Sequence, residues 1–172
     1  MSGFFKKLKR YDMKDDFFTL LKKLSKNKVD YAVIGGFACI AHGCTYVTQD
    51  IDICLDFNTD NLLCLQKALA GLHPVHRMTP KKLKLRLTKE NCKQYKNLYL
   101  DTDIGQLDCI GFVEGAGNFQ QVKSKSTPIK IKNTRVWVLN IDAIIESKKM
   151  LNREKDAHAI NQLKTIKKLK DL

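Results

Sequence analysis

The sequence predicts an α/β or α+β fold, with helices packed on a small, mixed and twisted sheet. Three observations predict it. Helical and strand periodicities alternate through the first part of the chain. A run of short strand-like segments follows, and two helical segments close the sequence. Hydrophobic residues make up 44% of the 172 residues, enough to bury a core. The length suits one domain spanning 1–172, with a core of about 28–140 and C-terminal helices over about 140–170.

Each element has its own signal. Phe17, Leu20, Leu21 and Leu24 fall at i, i+3, i+4 and i+7, the period of an amphipathic helix. Asp12, Asp15 and Asp16 at its start and Lys22, Lys23 and Lys26 near its end suit the helix dipole. "VDYAVIGG" predicts a short buried strand stopped by Gly35 and Gly36. "FACIAHG" predicts a short helix ending at Gly43. "DIDICLD" alternates polar and apolar residues, as a strand does, and "TDNLLCLQKALAGL" predicts a helix with Thr59 as N-cap and a stop at Gly71. From Leu72 to Asn97 the chain is basic and without a clear period. Within it "HPVHR", His73 to Arg77, reads as a loop, and "KKLKLRLTK" alternates like an exposed strand. "NLYLDTDIGQLDCIGFV" predicts two strands joined near Thr102 to Gly105, which makes Asp101 and Asp103 solvated turn residues. "TPIKIKNTRVWVL" predicts a hairpin turning at Asn133 and Thr134. Asn140 then caps a helix running to about Leu151, and a last basic helix ends the chain.

Charge and composition narrow the function. Lys and Arg total 31 against 18 Asp and Glu, a net charge of +13, which favours polyanionic partners such as nucleic acid or nucleotide phosphates. No stretch reaches the ~18 apolar residues of a membrane span. The N-terminal "MSGFFKKLKR" is followed by acidic residues and not by the apolar region of a signal peptide, so a cytoplasmic location without membrane attachment is expected. The six cysteines form no CxxC pair. Cys39, Cys54, Cys64 and Cys109 sit in apolar runs and are expected to be buried free thiols. His73 and His76 have no third ligand nearby in sequence to complete a zinc site.

The chemistry concentrates in "VIGGFACIAHGCTYVTQDIDICLD", Val33 to Asp56. On a strand, residues i and i+2 share a face, roughly 7 Å apart. Asp50 and Asp52 therefore project together while Ile51 and Ile53 face the other way. Two carboxylates held so close resist joint ionisation, and a cation between them removes that cost. Their hard oxygens suit Mg2+ or Mn2+. Gly35 and Gly36, just before a helix start, let backbone N–H groups approach a phosphate, and Thr48 adds a hydroxyl near the pair. The set reads as a device for a metal-bound nucleoside triphosphate. An alternating solvent-facing strand is the plainer reading of an Asp-x-Asp taken alone.

Gly35, Gly36, His42, Gly43, Thr48, Asp50 and Asp52 together resemble the signature of the nucleotidyltransferase superfamily with the DNA polymerase beta fold. The pattern is most similar to its minimal, AbiEii-like branch: Gly-Gly, a helix ending His-Gly, then Arg-x-Thr-x-Asp-Ile-Asp. Ser147, Lys148, Arg153, Lys155 and Asp156 match the branch's C-terminal stretch, and "GQLDCIGFV" fits the strand of the third carboxylate, Asp108. The chain departs at Tyr46, where the branch has arginine, and at Gly36, where it commonly has serine.

The resemblance implies a nucleotidyltransferase fold and transfer of a nucleoside monophosphate from an NTP, with two Mg2+ (or Mn2+) ions. Asp50, Asp52 and Asp108 would be catalytic and metal-binding. Gly35, Gly36, Thr48, Lys148 and Arg153 would bind the nucleotide. Asp156 reads as a structural ion-pair partner of Lys148 or Arg153, His42 as a residue that caps its helix or packs under the sheet, and Asp56 as a reserve ligand. The acceptor is expected to be RNA, such as the tRNA 3′ end, or a protein. A toxin with an antitoxin partner fits small enzymes of this kind. An antibiotic acceptor, or a nucleotide- or RNA-binding module with weakened catalysis, are the alternatives.

Overall fold

The computed structural model describes residues 16–45 and 47–172. Asp12, Asp15 and Tyr46, singled out above, lie outside the described residues. Helix α1 covers residues 16–26, and its predicted stripe Phe17, Leu20, Leu21 and Leu24 is at most 4% exposed. Strand β1 (Tyr31–Ile34) is buried at every residue because it is central: it pairs antiparallel with β2 (Asp50–Leu55) and parallel with β9 (Thr134–Leu139). Helix α2 (Gly35–Ala41) starts on the residue after β1. It packs on β1, β2 and β9 and is backed by α5 (Ile141–Leu151), which in turn packs on α6 (Ala157–Lys170).

The seven-stranded sheet is mixed, in the order β3-β4-β5-β2-β1-β9-β8, with β3 Val75–His76, β4 Asn97–Thr102, β5 Gly105–Ile110 and β8 Ser126–Ile131. A separate two-stranded ribbon joins β6 (Phe112–Val113) and β7 (Gly117–Asn118). It leads into helix α4 (Phe119–Ser124), which the sequence periodicity did not announce. This mixed α+β architecture agrees with the predicted class, and the β4–β5 turn and the Asn140 cap of α5 fall where expected.

Five local expectations are corrected. Helix α3 (Thr59–Leu69) is capped by Asn58, not Thr59: the Asn58 side chain accepts the Asn61 N–H at 2.8 Å, and Asn is the stronger cap. The β8–β9 hairpin turns at Lys132 and Asn133, since Thr134 already pairs with Ile131; Lys132 takes the left-handed conformation (φ 52°). "KKLKLRLTK" is not a strand beyond one bridge between Lys84 and Val75. Its alternation shows in burial only from Leu85, with Leu85 and Leu87 inside and Leu83 exposed like the lysines. The backbone groups of Leu87 are satisfied by the Gln66 side chain instead of a neighbouring strand. "HPVHR" is not only a loop, because Val75 and His76 form edge strand β3. Asp101 lies inside β4 and not in the turn; Asp103 is in the turn.

The buried hydrophobic residues form a core cluster reaching from Phe17 to Leu163. All six cysteines are free; five are buried and Cys64 is partly buried. Among the described residues no helix is long and apolar enough to cross a membrane.

Candidate active site

Strand β2 alternates as the sequence requires: Ile51 and Ile53 are fully buried, which turns Asp50 and Asp52 to the opposite face. Strand β5 repeats the device with buried Leu107 and Cys109 on either side of Asp108. The two strands run parallel with Asp52 opposite Asp108 and Asp50 opposite Gln106. One carboxylate oxygen from each of Asp50, Asp52 and Asp108 therefore lies within 4.8 Å of the other two. Thr48 Oγ1 is 3.0 Å from the Asp50 carbonyl oxygen and 3.1 Å from Asp50 Oδ1, so its proton is donated to Asp50 itself.

This crowding has an electrostatic cost. Burial, then the charges of Asp50 and Asp108, push the Asp52 carboxyl up to about 7, although Lys148 and Arg153 pull the other way. Burial also raises Asp108, against the opposing hydrogen bond and charge of Arg77. Gly35 adjoins Asp52 directly. It adopts φ 64°, and a Cβ built there would collide with the Asp52 carboxylate. Only a glycine lets the backbone come so near. Gly36 follows as the second residue of α2, partly buried.

The C-terminal residues form a clamp beside this face. Lys148 Nζ donates to Asp156 Oδ1 at 2.8 Å, and Arg153 Nε donates to Asp156 Oδ2 at 2.7 Å. Lys148 and Asp156 are buried, while Arg153 is half-exposed. Burial raises the Asp156 carboxyl, but the two cations outweigh it and hold the group below its ordinary range. Lys155 is exposed. His42 is the buried C-cap residue of α2, with Nε2 2.8 Å from the carbonyl oxygen of Leu139 at the end of β9; burial lowers its pKa. Asp56 lies outside the carboxylate group; its Oδ1 accepts the Asn58 N–H in the turn before α3.

Sequence reasoning missed two residues. Arg77 Nη2 donates to Asp108 Oδ1 at 2.6 Å, with both side chains largely buried. Asp101 sits on the same face as Asp108, two ladder positions away, where it accepts from Lys82 Nζ (2.9 Å) and Gln106 Nε2 (3.1 Å). The Asp101 signal was present in the hairpin: a turn closing at Thr102 and Gly105 puts Tyr99 opposite Asp108 and Asp101 opposite Gln106. Arg77 had no local signal, because β3 is only two residues long.

No family model and no curated protein matches the chain. Two solved structures share its fold. One is the antibiotic-resistance factor ANT(2'')-Ia, 14% identical, with a TM-score of 0.55 over 88% of this chain and 80% of that one. The other is TM1012 from Thermotoga maritima, provisionally described as a nucleotidyltransferase, 14% identical, with a TM-score of 0.54 over 85% of this chain and 88% of that one. At this identity the likeness is one of fold: the mixed sheet and its helices have the arrangement of nucleotidyltransferase-fold proteins.

Proposed function

We propose that the protein is a magnesium-dependent nucleotidyltransferase that moves a nucleoside monophosphate from an NTP to an RNA acceptor, with pyrophosphate leaving. The observation that carries this reading is the convergence of Asp50, Asp52 and Asp108 against the Gly35 backbone. The donor set fits Mg2+ or Mn2+: three hard carboxylates within 4.8 Å, one of them pushed up to about 7 by burial and by the other two. Two such ions, when bound, would supply charge neutralisation on the attacking and leaving oxygens.

The chain's own groups do the rest. Asp50 and Asp52 would hold the ions, with Thr48 donating to the Asp50 carboxylate. Asp108 would complete the ligand set and accept the proton of the acceptor hydroxyl. The acceptor oxygen forms a bond to the α-phosphorus as the bond from that phosphorus to the α–β bridging oxygen breaks. Backbone N–H groups at Gly35 and Gly36 cradle the β- and γ-phosphates. Arg153, half-exposed and steadied by Asp156, offsets charge on the leaving pyrophosphate, with Lys148 behind it.

Charge supports RNA as the acceptor: a chain of net charge +13 attracts a polyanion and repels a polycationic antibiotic. The motif likeness to the AbiEii-like branch supports a toxin of a toxin–antitoxin pair as the setting. Purified protein, labelled NTPs, Mg2+ and total RNA test the reading. Label should move to RNA, and Asp50→Ala and Asp52→Ala should abolish the transfer. Label on protein would replace the acceptor, and NTP binding without transfer would make the chain a binding module. Wild-type transfer by both variants would remove the site assignment.

A further inference from the structure

Arg77 sits where edge strand β3 would continue. Its backbone N–H donates to the Tyr99 carbonyl at 2.8 Å, so it extends the row Tyr99, Asp108, Asp52 across one face of the sheet. Its segment is anchored on both sides. His76 stacks on Tyr95, with ring centroids 5.9 Å apart, and Leu85 and Leu87 are buried beneath the basic stretch. The guanidinium thus reaches the third carboxylate from a fixed base.

The ion pair is incomplete in a telling way. Arg77 Nη2 is 2.6 Å from Asp108 Oδ1, at side-chain exposures of 21% and 12%. The other terminal nitrogen, Nη1, is buried with no hydrogen-bond partner among the described residues. Arginine–carboxylate pairs are frequently bidentate, and a buried N–H without an acceptor is costly. One arm of the fork therefore holds the third carboxylate of the cluster, and the other lacks an acceptor.

A Mg2+ ligand oxygen lies about 2.0–2.1 Å from the ion, so an ion on either oxygen of Asp108 would face the guanidinium, 2.6 Å from Oδ1, with like charge and little intervening solvent. We propose that Arg77 is a positioning residue that competes with a divalent cation for Asp108 and yields it when a phosphate of an RNA acceptor takes the guanidinium. This rests on the nucleotidyltransferase reading of the aspartate trio. Asp50 and Asp52 make no ion pair with Arg77 among the described residues, so an ion they hold loads independently. The ion that needs Asp108 loads with the acceptor.

Counting bound Mn2+ on the full chain by electron paramagnetic resonance tests this without reading activity. Wild type should bind one Mn2+ tightly and a second weakly. Arg77→Gln should strengthen the second ion by about tenfold or more, the worth of a charged hydrogen bond. Lys82→Ala, which removes the exposed cation on Asp101, should move it by less than about twofold. A short single-stranded RNA, corrected for its own Mn2+ binding, should strengthen the second ion in wild type and not in Arg77→Gln. An unchanged second ion in Arg77→Gln overturns the competition, and no RNA effect in wild type overturns the release. If Mn2+ binding is the same in wild type, Asp50→Ala and Asp52→Ala, the nucleotidyltransferase reading itself fails. Should Arg77→Gln not fold, the nitrogen-15 signal of the Arg77 side chain in wild type replaces it. That signal should shift as the second Mg2+ binds, and constancy through saturation overturns the proposal.

Discussion

Replacing Asp52 with asparagine should stabilise the chain in EDTA at pH 8 while abolishing transfer. Asp52 is held at about 7, against 3.8 for an unperturbed aspartate, by burial first and then by Asp50 and Asp108. About three pH units at 1.36 kcal/mol each set a ceiling of roughly 4 kcal/mol for the cost of the ionised carboxylate in the folded state. Relaxation among the three aspartates takes part of that away, which leaves about 2–4 kcal/mol for the neutral, isosteric variant to recover. The sign follows from proton binding. Between about pH 4 and pH 7 the unfolded chain has lost the Asp52 proton and the folded chain keeps it, so wild-type stability falls as pH rises, and above about pH 7 the full cost is present. The gap between variant and wild type should therefore be near zero at about pH 4, widen through that window and level off above it. Urea unfolding followed by circular dichroism in EDTA, at a series of pH values, measures it. Saturating Mg2+ should then favour wild type, because a ligand that binds only the folded state stabilises it. A variant less stable than wild type at pH 8 in EDTA, or a gap that does not change with pH, would refute the electrostatic reasoning.

Gly35→Ala forces a side chain into a left-handed conformation, worth roughly 1–2 kcal/mol, and drives its methyl into the Asp52 carboxylate. Mn2+ affinity by calorimetry should fall and transfer should be lost together; wild-type affinity would contradict the close approach. Asp156→Ala removes the buried partner of Lys148 and should cost about 3–5 kcal/mol in urea unfolding, with Asp156→Asn losing less. Burial pushes the Cys39 thiol up to about 11 and Cys54 up to about 12. A thiol reagent at pH 8 should therefore label Cys64 first in the native protein and all six cysteines only in denaturant, as mass spectrometry would show.

Much of the local structure was legible because its causes are local. The period of two in "DIDICL" comes from the pleat of a strand, so it assigned Asp50 and Asp52 to one face without any knowledge of neighbours. The leucines of α1 and the side chain of Asn140 likewise act within a few residues of themselves. Where local rules failed, a distant group had intervened. Gln66, 21 residues away, took both backbone hydrogen bonds of Leu87 within "KKLKLRLTK".

The sequence by itself determined which face each aspartate of β2 takes and which segments alternate or coil. Tertiary structure alone decided which carboxylates meet. Asp108 stands beside Asp52 because β5 pairs parallel with β2 across the whole of α3, β3 and β4, and no periodicity encodes the neighbour of a strand. The resemblance to a family named Asp108; the register placed it. Arg77 was silent in the sequence for the same reason. Its role comes from a two-residue edge strand that lines up with Tyr99 and Asp108 only once the sheet is assembled. Side-chain direction follows from short-range backbone geometry, whereas charge pairing at the site follows from contacts that only chain closure brings together.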